Sequence, residues 1–216
     1  MIIGDMRINT RTSEKTIERL LLYRRILLNA NFPPDAFIFS HQLAQLSAVT
    51  AAQVRHDLMA IGYFGSPVHG YQIEKLLNSI SEFVDGHEIE KVALVGVGHL
   101  GRAVLDYARG RRPKLMITAA FDNDPDKVDR VIHGVRCYGM DQMPTIISQE
   151  KIIVAILTIP AQSAQEIAEQ LVAAGIRGIL NYAPINLNLP PNIYVENRDM
   201  LLAVEKVAYF ARKSPR

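Results

Sequence analysis

Apolar positions along this chain follow two different rhythms. From Ser13 onward Ile17, Leu20, Leu21, Ile26, Leu27 and Leu28 recur at helical spacing, which predicts a first helix opened by Ser13-Glu14-Lys15-Thr16 and broken over residues 29–34 by two prolines. Ser40 is predicted to cap a short helix, His41–Leu46. Thr50 caps the next, Ala51 to about Ile61, with Val54, Leu58 and Ile61 on one side and Gln53, Arg55, His56 and Asp57 on the other. Residues 62–73, cornered by Gly62, Gly65 and Gly70, read as a hairpin, and residues 74–87 as a helix or helical linker, with a domain boundary near Asp85-Gly86. Residues 1–12 show no periodicity and read as a loose arm.

Beyond residue 91 the rhythm changes to short continuous apolar runs separated by helical segments. Val92–Val95, a run ending at Phe121-Asp122, Ile152–Ile159, Gly178–Tyr182 and Ile193–Val195 read as strands, with helices to about Ala108, at 140–149 and at Gln162–Ala173. Residues 124–138 read as a loop with a short irregular strand near Gly134, and Asn197–Arg212 as a last, strongly apolar helix. Strands alternating with helices predict an α/β chain with a doubly wound parallel sheet, whose ligand lies at the carboxyl ends of the strands. Asp122, Thr158, Ile159, Pro160, Asn181, Ala183 and Pro184 fall at those ends.

The turn Gly96-Val97-Gly98-His99-Leu100-Gly101 between the first of these strands and its helix matches G-x-G-x-x-G, with Asp122 following at the end of the next strand. Gly96 suits a tight turn, Gly98 a close approach of backbone to pyrophosphate, and Gly101 close packing of helix on sheet, while the helix N-terminus supplies N–H groups. A carboxylate at Asp122 accepts ribose hydroxyls and repels a 2′-phosphate, and Asn123, Asp124 and Pro125 offer no arginine to hold one. The expected cofactor is therefore NAD(H) rather than NADP(H).

Composition narrows the partners. With 216 residues, 49% of them hydrophobic, there is material for one full domain and a smaller one. A net charge of +2 leaves any attachment to nucleic acid to a local patch. Cys137 is the only cysteine, so no internal disulfide forms, and it reads as a small buried hydrophobe or, alternatively, a redox-active thiol. No apolar run is long enough for a membrane span and the start lacks a signal-peptide core, so a soluble protein of the cytoplasm is expected. The run Arg109-Gly110-Arg111-Arg112-Pro113-Lys114 reads as a solvated loop or as an extra nucleic-acid contact.

Two helices around a three-residue turn, followed by a hairpin, fit a winged helix-turn-helix and equally a helical cap with no DNA to bind. The last helix must bury its apolar residues on its own subunit or on a second one. At the strand ends no catalytic residue stands out, because residues 158–161 and 181–184 offer no obvious general base, and the six histidines lack metal-ligand spacing. The chain reads as binding a dinucleotide without turning it over. An NAD-dependent oxidoreductase, or a fragment of a CoA-binding ligase, is the competing reading of the same fold.

Several phrases together resemble the Rex family of bacterial redox-sensing transcriptional repressors. They are Thr16-Ile-Glu-Arg-Leu with Tyr23-x-Arg25, Gln53-Val-Arg-x-Asp-Leu58, the glycine turn, Phe121-Asp-x-Asp-Pro125 with Lys127, Leu157-Thr-x-Pro160, and Gly178-Ile-Leu-Asn-x-Ala-Pro184. The resemblance covers roughly residues 13–212. It implies a winged-helix DNA-binding domain with linker over 1–85, a Rossmann NAD(H)-binding domain over 86–196, and a dimerisation helix over 197–216 swapped between two subunits. It implies a homodimer on operator DNA, an AT-rich inverted repeat, released when NADH binds. Lys127 and Asn123 join the expected cofactor contacts. Ser40, Thr50, Gln53, Arg55, His56 and His69 become the expected DNA contacts, and Arg25, Tyr107 and Asp199 match the family's redox-switch cluster. Two departures stand out, Pro67-Val68 in place of a basic residue and glycine in the wing, and His56 in place of Lys or Arg. A relative that has lost operator binding is the further alternative these departures leave.

Overall fold

The computed structural model describes residues 12–30, 32–33, 35–112 and 114–213. Apart from Thr12, the expected N-terminal arm lies outside them, as do Pro34 and Pro113. The chain divides into two compact units between His87 and Glu88. Asp85 belongs to the first, where its carboxylate accepts Arg24 Nη1 at 2.6 Å. Among the described residues no helix is long and apolar enough to cross a membrane.

In the first unit α1 (Glu14–Asn29) is capped by Ser13, whose hydroxyl accepts the Thr16 N–H. There follow β1 (Phe37–Ile38), α2 (Ser40–Ser47), α3 (Ala51–Ala60), β2 (Tyr71–Gln72) and α4 (Ile73–Val84). Their shared core is built on Leu20, Tyr23, Leu43, Val54, Leu58, Leu76 and Ile80. Two expectations need correction here. Ser40 is the first residue of α2 and not its cap: the cap position is Phe39, whose N–H is taken by the Gln42 side chain at 2.8 Å. The expected hairpin shrinks to one antiparallel pair, Ser66 with Gly70, while β2 pairs instead with β1. Gly70, at φ +76°, permits this crossing, because a Cβ there would lie 2.6 Å from the Ile38 carbonyl oxygen. Asp57, one of the polar positions of α3, is fully buried.

The second unit is a seven-stranded sheet in the order β5-β6-β4-β3-β7-β8-β9. Its elements are β3 (Glu90–Val95), α5 (His99–Ala108), β4 (Leu115–Asp122), β5 (Val131–Ile132), β6 (Val135–Gly139), α6 (Met143–Glu150), β7 (Val154–Leu157), α7 (Ala161–Ala173), β8 (Gly178–Asn181), β9 (Tyr194–Asn197) and α8 (Met200–Lys213). All neighbours pair in parallel except β5 and β6, which departs from the fully parallel sheet expected. His133 and Gly134 both have positive φ, the backbone of a tight two-residue hairpin turn, and that turn returns the chain antiparallel. The strand order reverses between β4 and β7 on either side of β3, which opens a crevice at their carboxyl ends. At the end of the chain Asn197 closes β9 and does not begin the helix. Asp199 Oδ1 instead accepts the N–H groups of Leu201 and Leu202 at 2.9 and 3.1 Å, and α8 follows with no buried residue.

Candidate nucleotide crevice and helix-turn-helix face

The loop between β3 and α5 is held from three sides. Gly96, at φ +90°, donates to the Phe121 carbonyl at 2.8 Å, and a Cβ there would sit 2.6 Å from Thr158 O. Thr158 Oγ1 donates to the Gly96 carbonyl at 2.6 Å. Gly101 packs so tightly that a Cβ would fall 2.1 Å from Gly96 O, whereas a Cβ on Gly98 would meet no atom within 4 Å. Gly98 lines the crevice, which has a volume of about 270 Å³. Gly98 gives α5 no side-chain cap, so the first-turn N–H groups at His99 and Leu100 are left for a ligand's oxygens. This is the cradle that a pyrophosphate requires.

Asp122 stands beneath the turn. Its Oδ2 accepts the Val97 N–H at 2.7 Å, its Oδ1 accepts the Asp124 N–H at 2.9 Å, and Lys127 Nζ lies 3.2 Å from Oδ2. Lys127 also reaches Asp124 at 3.2 Å. Burial works against the lysine's charge, but its hydrogen bonds to the two carboxylates outweigh that and raise its pKa. At Asp124 the Asp126 N–H and then Lys127 hold the carboxyl below its usual range. The Cys137 thiol lies buried, and burial pushes its pKa up.

Of the residues singled out in the sequence, Gly96, Gly98, Asp122, Asn123, Lys127, Thr158, Ile159 and Pro160 line this one crevice. Val97 is buried under the turn and does not line it. Asn181 is fully buried at the end of β8. Its Nδ2 donates toward Ala183 O, Ile185 O and Asn197 Oδ1, and its Oδ1 accepts the Ala183 N–H, so it shapes the turn bearing Ala183 and Pro184. Met140, Ser163 and Ile167 also line the crevice and were missed. The spacing of Ser163 and Ile167 on one face of α7, just past Pro160, was the available signal.

On the first unit, Arg55 Nη1 donates to Ser40 Oγ at 3.2 Å, which brings two expected DNA contacts together on an exposed face. Thr50 Oγ1 accepts the Gln53 N–H and so caps α3. His56 is exposed, with Nδ1 3.9 Å from Asp57 Oδ1, and His69 stands beside Phe37 at a ring separation of 6.2 Å. Beneath them lies a clasp absent from the sequence reading. Arg19 grips Asp57 through Nε at 2.6 Å and Nη2 at 2.7 Å, Tyr23 donates its hydroxyl at 2.8 Å, and Gln53 Nε2 donates at 2.9 Å. Burial opposes ionisation of Asp57, yet the hydrogen bonds from Arg19, Gln53 and Tyr23 prevail and hold it below the usual carboxylate range. Burial, then the bond to Asp57, drives the Tyr23 pKa far upward.

The three expected switch residues stand on separate elements. Arg25 is exposed on α1, Tyr107 is exposed on α5 with the Arg111 guanidinium 4.2 Å over its ring, and Asp199 caps α8. The neighbouring Arg109 and Arg112 are likewise exposed. Among the described residues no group of three or more His, Cys, Asp or Glu side chains is placed to hold a metal ion.

Two family profiles match the chain, one described as "CoA binding domain" over residues 87–185 and one as "Putative DNA-binding protein N-terminus" over residues 11–58. The redox-sensing transcriptional repressor Rex of Anoxybacillus flavithermus is 38% identical over 202 residues, covering 92% of this chain and 93% of its own. The Rex of Lactobacillus acidophilus is 34% identical over 195 residues, with 90% and 92% covered. Among solved structures, RSP, a Rex-family repressor, in complex with β-NAD+ and operator DNA matches with a TM-score of 0.85 at 30% identity, over 95% of this chain and 94% of that one. RSP in complex with β-NADH matches at 0.82.

Proposed function

The chain belongs to the Rex family of redox-sensing transcriptional repressors, and from that premise we propose that it binds operator DNA as a homodimer and leaves it when NADH binds. One observation carries this reading: a single chain joins a built dinucleotide crevice to a helix-turn-helix face, while the polar groups at the strand ends are engaged internally. Thr158 spends its proton on the Gly96 carbonyl and Asn181 has its amide fully used. Ser163 Oγ likewise donates to the Pro160 carbonyl at 3.3 Å and Lys127 is held between two carboxylates, so these groups are committed within the protein, which supports sensing rather than turnover.

The residues from Gly96 to Gly101 would hold the pyrophosphate. Asp122, Asn123 and Lys127 would meet the adenosine ribose, and the segments 158–160 and 181–184 would flank the nicotinamide. Bound dinucleotide supplies a ring whose charge differs by one between its oxidised and reduced forms. Arg25, Tyr107 and Asp199, brought together across two subunits, would respond to that difference, since an Arg–Asp pair depends steeply on local charge and dielectric. The repressor would then act by population shift, NADH favouring a dimer whose α3 helices no longer match two successive major grooves.

The test is fluorescence anisotropy with a palindromic AT-rich duplex and a scrambled one at fixed salt, without nucleotide, with NAD+ and with NADH. Specific binding abolished by NADH alone supports the reading. Tight NADH binding with no duplex preference overturns it, in favour of a relative that has lost its operator through the Pro67-Val68 wing.

A further inference from the structure

The Asp57 clasp leaves a chemical signature on the face of α3. An ionised carboxylate can only accept hydrogen bonds, and its lone pairs are matched here one by one: Oδ1 takes Arg19 Nη2 and Gln53 Nε2, Oδ2 takes Arg19 Nε and the Tyr23 hydroxyl. The amide of Gln53 therefore has no freedom to flip. Its nitrogen must face Asp57, and its oxygen is turned the other way. Gln53 itself lies in the first turn of α3, half-buried, with its own N–H fixed by the Thr50 cap. The first turn of a reading helix is where side chains reach base edges in a major groove.

We propose that Asp57 is a positioning residue for base readout: it locks the Gln53 amide so that its oxygen and remaining N–H face the groove, the arrangement that selects adenine. Adenine offers an N6–H donor and an N7 acceptor side by side, which a fixed amide matches bidentately, whereas thymine and guanine present an oxygen where the amide oxygen would sit. An unanchored glutamine flips and accepts either pattern. This inference rests on the repressor reading above and adds to it which residue sets one letter of the operator.

The experiment selects duplexes from a randomised pool with the full-length protein in the presence of NAD+, then measures Kd on duplexes varied at single positions. Wild type and Tyr23→Phe, which removes one donor to Asp57 but not Gln53's, are expected to share one adenine preference per half-site of at least about fivefold. Gln53→Ala and Asp57→Asn are expected to lose that same preference while keeping the others. Should Asp57→Asn fail to fold, the Arg19→Met/Asp57→Asn pair, which leaves no unpaired guanidinium, carries the same expectation. The inference is overturned if the Asp57 variants bind every duplex more weakly by one common factor with the preference intact, or if Tyr23→Phe erases it as well. A pool from which wild type enriches nothing overturns the repressor reading itself.

Discussion

Asp122 accepts the main-chain N–H of Val97 at 2.7 Å, joining the end of β4 to the middle of the phosphate turn. The acid that marks the ribose site in the sequence is thus also the support of the neighbouring site. Asp122→Ala leaves the N–H groups of Val97 and Asp124 without their acceptor, at about 1–3 kcal/mol for the buried Val97 group and less for the half-buried Asp124 group. Asp122→Asn can satisfy only one of them. We expect NADH affinity to fall at least tenfold in both, more in Ala, with a lowered Tm. A fluorescence titration with NADH and a thermal melt check this, and unchanged affinity in Asp122→Ala would refute the coupling.

The glycines of the turn separate two kinds of failure. Gly98→Ala meets no atom of the protein, so it should fold with wild-type Tm and lose NADH affinity because its methyl enters the crevice. Gly101→Ala drives a methyl to 2.1 Å from the Gly96 carbonyl and should lower Tm as well as binding. Parallel melts and NADH titrations of the two variants distinguish these outcomes.

Why some of this was readable from the sequence and some was not has a physical basis. The buried parts of β3, β7 and β8 are short apolar runs and the glycine turn has few alternative uses, so the strand ends and the turn were legible, whereas Met140, Ser163 and Ile167 of the crevice lining were not. β5 is only Val131–Ile132, too short to show a period, and its sole sign is the turn at His133-Gly134. β1 is equally short. The burial of Asp57 was not legible because a single carboxylate on a short helix does not announce a partner 38 positions away. The hint lay on α1, where Thr16, Tyr23 and the stem of Arg19 share a face with the buried Leu20 and Leu27.

The same clasp predicts how the first unit responds to pH. The Asp57 pKa is depressed in the folded chain, so its contribution is present above its ordinary value of 3.8 and is lost as pH falls through the lower, folded value. The Tyr23 pKa is raised, so its contribution is complete below the ordinary value of 10.0 and is lost as pH rises through the folded value. Asp57→Asn should lower stability at neutral pH by about 1–3 kcal/mol, with the gap to wild type closing in acid. Tyr23→Phe should flatten the alkaline limb. Urea denaturation between pH 3 and 11 measures both differences, and a constant gap for Asp57→Asn across the acid range would contradict the assignment.

The last prediction concerns α8. Met200, Leu201, Leu202, Val204, Val207 and Phe210 are all more than half exposed on a helix with no buried residue. Each such side chain contributes about 1.5–3 kcal/mol when it leaves water, so a helix this apolar drives association strongly. A second copy of the chain offers the symmetric partner that a two-fold operator needs. Wild type should sediment as a dimer, and a chain ending at Arg198 should sediment as a monomer that still binds NADH, because the crevice residues all lie before that point. Leu201→Glu/Phe210→Glu should do the same without shortening the chain. Operator affinity should fall in both by more than a hundredfold, since a monomer contacts a single half-site and loses the effective concentration that links the two. Sedimentation velocity and anisotropy on one sample settle the matter: a truncated chain that remains dimeric would place the interface elsewhere, and a monomer with full operator affinity would remove the need for two-fold recognition.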